Sequence, residues 1–148
     1  MKGLFIGADP GMSGAFVVLN RDGSFNRQIR MDETLLDIGA SLRKIRRDVS
    51  FCLIERVHSM PKQGVASSFK FGDAFGIMRG MVTVCNIRHE YMTAKDWQTK
   101  MKCKTGGDKK VSKAAAQRLF PNEKIIHQNA DAFLLAELSR RIGIDRGW

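Results

Sequence analysis

The chain is poor in several things at once. Its 148 residues hold only three cysteines, three prolines and one tyrosine. Cys52, Cys85 and Cys103 are scattered, odd in number and without paired spacing. That excludes a disulfide framework and a cysteine-held zinc site, and points to a reducing compartment. No run is long and apolar enough to span a bilayer, so no membrane partner is expected. Met1-Lys2-Gly3-Leu4 opens no signal-peptide pattern. Repeats, low-complexity tracts and linkers are also lacking, so residues 1–148 read as a single domain. Acidic residues are scarce as well: 15 Asp and Glu stand against 25 Lys and Arg, giving a net charge of +10. Such a balance favours a polyanionic partner, most simply nucleic acid, over a basic protein that is merely soluble.

With so few acids, their placement carries weight. Leu4, Phe5 and Ile6 form an apolar run ending at Gly7-Ala8-Asp9-Pro10-Gly11. A second run, Ala15 to Leu19, closes on the turn Asn20-Arg21-Asp22-Gly23. This pattern predicts strand, tight turn, strand and hairpin. Asp9 then sits where the first strand leaves the sheet. There it caps the turn, or it meets a cation that offsets its burial. Gly7, Gly11 and Gly14 keep side chains away, leaving room for a metal ion and a phosphate, and Pro10 fixes the turn.

Ser24 to Arg30 alternates as a third, antiparallel strand. Glu33 to Arg47 has apolar residues at helical spacing and basic ones near its end, where they complement the helix dipole. Val49 to Ile54 is a compact buried strand closed by Glu55. If it is a parallel neighbour of the first strand, Asp9 and Glu55 meet at the edge where open α/β sheets bind ligands.

His58 to Ala66 reads as a loop, followed by a helix from Ser67 to about Cys85. Gly72, Gly76 and Gly80 recur every fourth residue and share one face. Each costs a helix roughly 1 kcal/mol relative to alanine. The stripe, flanked by Phe71, Phe75 and Met78, therefore packs closely against something, either the protein's own sheet or a second copy. Ile87 to Met92 forms a strand, and Thr93 caps a short helix anchored by Trp97. The glycine- and lysine-rich segment from Lys102 to Lys110, with Lys113 beyond it, suits phosphate contacts or a solvated face. Asp108 to Phe120 is an amphipathic helix ended by Pro121. The last helix, Asn129 to about Ile142, carries Asp131 in its first turn. That carboxylate either complements the helix dipole or is a third acidic ligand.

Three antiparallel strands, a helix, a parallel strand ending in Glu and a last helix opening with Asp make the layout of the ribonuclease H-like fold. The expected class is α/β, with a five-stranded mixed sheet of three antiparallel then two parallel strands, flanked by helices. Ile6-Gly7-Ala8-Asp9-Pro10-Gly11-Met12-Ser13-Gly14-Ala15 resembles the first motif of RuvC-type Holliday junction resolvases. Ile54-Glu55-Arg56-Val57-His58 resembles their second acidic motif, and Asn129-Ala130-Asp131-Ala132-Phe133-Leu134-Leu135-Ala136 their last. The glycine helix is similar to their dimer helix. Met60-Pro61-Lys62-Gln63-Gly64 and Trp97 look closest to the compact phage and organellar branch.

The resemblance implies an endonuclease that resolves four-way DNA junctions by paired, symmetric nicks, in recombination and repair. Its setting would be the cytoplasm of a bacterial or phage-infected cell. Asp9, Glu55 and Asp131 would hold two Mg²⁺ or Mn²⁺ ions per site. The family's fourth acidic place is filled here by His127 or Gln128, with His127 preferred. Lys109 would act at the scissile phosphate, with Lys102, Lys104, Lys110 and Lys113 along the DNA. His58 and Met60 would wedge at the branch point or face solvent, Lys62 would contact DNA, and Phe71, Gly72, Phe75, Gly76 and Gly80 would lie in a homodimer seam. The missing carboxylate keeps a non-cleaving junction binder in play, and the shared fold keeps a related nuclease with another substrate. A sugar-kinase or actin-like ATPase, which also opens with an Asp-Gly turn, is discounted, since the sequence has no second phosphate loop and is short for paired lobes. Replacing Lys109 and Lys110 by Gln should flatten the plot of log affinity for junction DNA against log salt, by about one unit of slope per lysine. An unchanged slope would make that segment a solvated face.

Overall fold

The computed structural model describes residues 3–11 and 13–148; Met12, within the first motif, and Met1 and Lys2 lie outside the described residues. Strands β1 (Leu4–Asp9), β2 (Ala15–Asn20) and β3 (Phe25–Arg30) come first, followed by helix α1 (Leu35–Ile45). Then come β4 (Val49–Arg56), α2 (Val65–Val84), β5 (His89–Thr93), α3 (Ala94–Lys100), α4 (Lys109–Leu119) and α5 (Ala130–Asp145). The sheet order is β3-β2-β1-β4-β5. β1 pairs antiparallel with β2 and parallel with β4, and β4 pairs parallel with β5. This is the mixed α/β architecture expected, with β1 in the middle.

Strand alternation divides the core into two layers. Ile6, Phe16, Val18, Cys52 and Ile54 face α1 and α2, joined by Ile38, Leu42, Met78 and Val82. Phe5, Val17, Leu19, Phe51 and Leu53 face the other way, against Trp97 of α3, Ala116 of α4 and the apolar body of α5. Helix starts follow local chemistry. Thr34 caps α1 by accepting the Asp37 N–H, and Thr93 caps α3 by accepting the Asp96 N–H. Asp108 caps α4 by accepting the Lys110 N–H at 2.9 Å.

The first glycine has a different purpose from the one read in the sequence. A Cβ at Gly7 would lie 2.1 Å from the Ala136 nitrogen and 2.4 Å from the Ala132 carbonyl oxygen. Gly7 therefore clears room for α5 against β1, not for a ligand. At Gly14 the nearest atom is the Asp9 carbonyl oxygen at 2.0 Å, so that glycine closes the turn. Only Gly11 faces the Asp9 carboxylate, 3.4 Å from where its Cβ would be.

Helix α2 also differs in part from expectation. Its buried residues are Met78 and Val82, and Phe75 packs with them, edge-on to Tyr91 at 5.7 Å. Gly72, Gly76 and Gly80 lie on the opposite side, with nothing within 4 Å of an added Cβ. Packing against the protein's own sheet is thus ruled out for the glycine stripe. Phe75 belongs to the inward face and not to the stripe. Val65 and Phe69, exposed by 88% and 76%, continue the stripe outward. Among the described residues, no helix is long and apolar enough to cross a membrane.

Because backbone atoms surround position 7, Gly7→Ala should destabilise the fold by roughly 3 kcal/mol. The melting temperature should fall by on the order of 10 °C. An unchanged melt would show that α5 does not sit this close to β1.

Candidate active site

The parallel register puts Ala8 beside Ile54, so Asp9 and Glu55 follow side by side where β1 and β4 leave the sheet. Both are odd-numbered on strands whose odd residues face α5. α5 crosses that face with its N-terminus toward the same end and brings Asp131 in its first turn. Asp9, Glu55 and Asp131 line one cavity of about 460 Å³, together with Gly11, Ser13, Lys109, His127, Gln128 and Phe71. Phe71 thus borders the acidic cleft and is not on the glycine stripe with which it was grouped.

Each carboxylate has one donor beside it. The Gly11 N–H donates to Asp9 Oδ1 at 3.0 Å. The Trp97 Nε1–H donates to Glu55 Oε2 at 2.6 Å. The Ser112 hydroxyl, which donates to the Lys109 carbonyl at 3.2 Å, lies beside Asp131 and favours its charged form. These do not offset the cost of crowding three acids out of water. Burial, then the charge of Asp131, pushes the Asp9 carboxyl up to about 6. Burial, then the charge of Asp9, pushes Glu55 up to about 8. Asp131 is raised by burial too, and its Oδ1 is buried with no hydrogen-bond partner. The charge of Lys109 opposes all three shifts.

Oxygen donors, an orphaned buried carboxylate oxygen and an unrelieved negative charge fit a hard divalent cation such as Mg²⁺ or Mn²⁺. Among the described residues, no three acidic, histidine or cysteine groups converge on one point. His127 and Gln128 are both exposed at the cavity mouth, so both remain open for the fourth position.

The remaining basic candidates spread outward. Lys109 alone of the lysines borders the acids. Lys102, Lys104 and Lys110 are exposed and Lys113 is half-buried. The segment before α4 is a succession of turns pinned by the buried Cys103, with Lys102, Gly106 and Gly107 at positive φ. His58, Met60 and Lys62 are exposed in the β4–α2 loop, where Gln63 Oε1 accepts the Met60 N–H.

Three supports escaped the sequence reading. Trp97 appeared only as an apolar anchor, yet its indole N–H holds Glu55. Ser112 looked like an ordinary helix residue. Asn129 looked like a helix start but caps nothing. Instead its amide donates to Gln28 Oε1 and the Lys124 carbonyl, and its Oδ1 accepts the Ile126 N–H at 2.8 Å. That braces the loop presenting His127 and Gln128. A buried polar side chain announces that it needs a partner, but its spacing does not say which one.

A five-stranded mixed sheet whose C-terminal helix crosses the central strands is a RuvC-like α/β fold. Solved structures bear out that fold. The chain is similar to the Thermus thermophilus RuvC structure, at 12% identity, TM-score 0.65, with 97% of this chain and 96% of that chain covered. It is also similar to T. thermophilus RuvC in complex with Holliday junction substrate, at 11% identity, TM-score 0.63, with 97% and 95% covered. No family model and no curated protein matches the sequence.

The raised carboxyls fix the sign of a pH effect. A carboxyl whose pKa is higher in the folded state holds protons there that the unfolded chain has released. Stability of the metal-free protein should therefore fall as pH rises from roughly 4 to 8. Glu55→Gln, measured with chelator present, should raise the melting temperature by about 3–5 °C at pH 8 and leave it nearly unchanged at pH 5. An equal effect at both pH values would show that Glu55 is not under charge stress.

Proposed function

We propose that this chain is a divalent-metal-dependent endonuclease that cuts four-way DNA junctions as a homodimer. The observation that carries this reading is the orphaned Asp131 oxygen beside two further half-buried, charge-stressed carboxylates, in a strongly basic chain of RuvC-like fold. Asp9, Glu55 and Asp131 would hold the ions, with His127 or Gln128 completing the set at the mouth. When bound, such ions supply an activated water and stabilise the leaving oxygen of a phosphodiester.

The protein's own groups do the rest. Asp9, on the central strand and held by the Gly11 N–H, would serve both halves of the site. Lys109 tempers the acid cluster in the free enzyme and stands ready to meet the scissile phosphate, where its charge counts most as negative charge builds up. Lys102, Lys104, Lys110 and Lys113 add sequence-independent phosphate contacts. The exposed loop with His58, Met60 and Lys62 leaves β4 directly after the Glu55 motif, which suits a contact at the branch point. The outward stripe of Gly72, Gly76 and Gly80, with Val65 and Phe69, supports a helix-to-helix seam. A C₂ dimer would match the twofold of a four-way junction with two cleavable strands.

On this reading Asp9→Asn abolishes cutting of a synthetic four-way junction in Mg²⁺ or Mn²⁺, lowering the rate by at least about a hundredfold. Binding to the same junction should persist, since the change removes charge and adds no bulk. Normal cutting by the variant would overturn the site. Failure of the unaltered chain to cut in either metal would favour a junction binder that does not cleave.

A further inference from the structure

We infer that Trp97 is a positioning residue for Glu55: its indole N–H ties down one carboxylate oxygen and so presents the other to a divalent ion. This rests on the metal-site reading above. The bond is short, 2.6 Å, below the usual N–H···O range and in keeping with a charge-assisted contact. An indole N–H can only donate, so Glu55 Oε2 is the acceptor in this bond.

The donor has no freedom to follow Glu55 if the carboxylate moves. Trp97 is 0% exposed and packs in the same core layer as Phe51, Leu53 and α5. The helix bearing it is tied to the strand bearing Glu55. β5 pairs with β4 at Met92 opposite Glu55 and Thr93 opposite Arg56, and Thr93 caps α3 one turn before Trp97. The Asp9 donor, by contrast, is a backbone N–H in the adjoining turn. Glu55 receives its hydrogen bond from a fully buried side chain 42 residues away in sequence. Partners of this kind, behind the ligands themselves, commonly set metal affinity by 10- to 100-fold.

The alternative is that Trp97 is a core residue whose N–H is merely satisfied by a nearby oxygen. Trp97→Phe separates the two, because it keeps an aromatic ring and removes the donor. Mg²⁺ binding to the folded full-length variant, measured by calorimetry without DNA, should weaken by about tenfold. The Mg²⁺ concentration for half-maximal junction cutting should rise by a similar factor, with most of the rate regained at saturating Mg²⁺. A purely structural role would lower stability and leave the Mg²⁺ affinity of the folded protein unchanged, and that result would overturn the proposal.

A second readout needs no folded Trp97 variant. The chain has two tryptophans, so its ¹⁵N–¹H spectrum has two indole signals. Trp148→Phe identifies the Trp97 signal by elimination. That signal should move during a Mg²⁺ titration of the unaltered protein. A Trp97 signal that stays fixed while Mg²⁺ saturates the protein would also overturn the proposal. If the unaltered protein binds neither Mg²⁺ nor Mn²⁺, the metal-site reading falls and this inference with it.

Discussion

The approach of α5 to β1 is the constraint on which the rest depends. Two elements from opposite ends of the chain meet at backbone distance because position 7 has no side chain. A methyl group there would collide with the peptide units around Ala132 and Ala136. The helix would have to lift away, and Asp131 would move with it. The two core layers, the burial of α5 and the depth of the acidic cleft all follow from that contact. Small residues at 132 and 136 and a glycine at 7 are thus parts of one device, though one lies at the start of the chain and the others near its end.

The same device creates an electrostatic debt. Three carboxylates brought into a partly dry pocket repel one another, and burial raises each carboxyl above its ordinary range. A protein selected for stability alone would place apolar or neutral groups here. Perturbed acids concentrated in a cleft are a common mark of function. One lysine and one hydrogen-bond donor per acid reduce the strain without removing it. What remains is a preformed demand for positive charge, at the bottom of a cavity in a protein whose overall charge of +10 draws in polyanions. The two signs are complementary: on the proposed function, the basic surface would attract DNA and the acidic cleft would hold the cations that let phosphate approach carboxylates.

The fold was legible in the sequence because its elements alternate cleanly. Leu4 to Ile6, Ala15 to Leu19 and Val49 to Ile54 are compact strand runs, and Thr93 and Asp108 stand at helix starts. Asp9, Glu55 and Asp131 were legible as a set because each follows or opens a buried element. What was not legible is whatever depends on the third dimension alone. Gly7 looks the same in sequence whether it clears space for a ligand or for a helix. Phe71 and Phe75 neighbour the glycine stripe in sequence but lie on the far side of α2. Trp97, Ser112 and Asn129 act through partners tens of residues away or through local bonds that no periodicity encodes.

The acidic cleft as a cation trap is the central claim, and the most direct measurement is the anomalous scattering from a crystal grown with Mn²⁺. The expected map has a peak within coordination distance of the Asp9 and Asp131 carboxylate oxygens, with Glu55 adjoining. A map with no peak in that cavity, or with manganese bound only elsewhere on the surface, would contradict it.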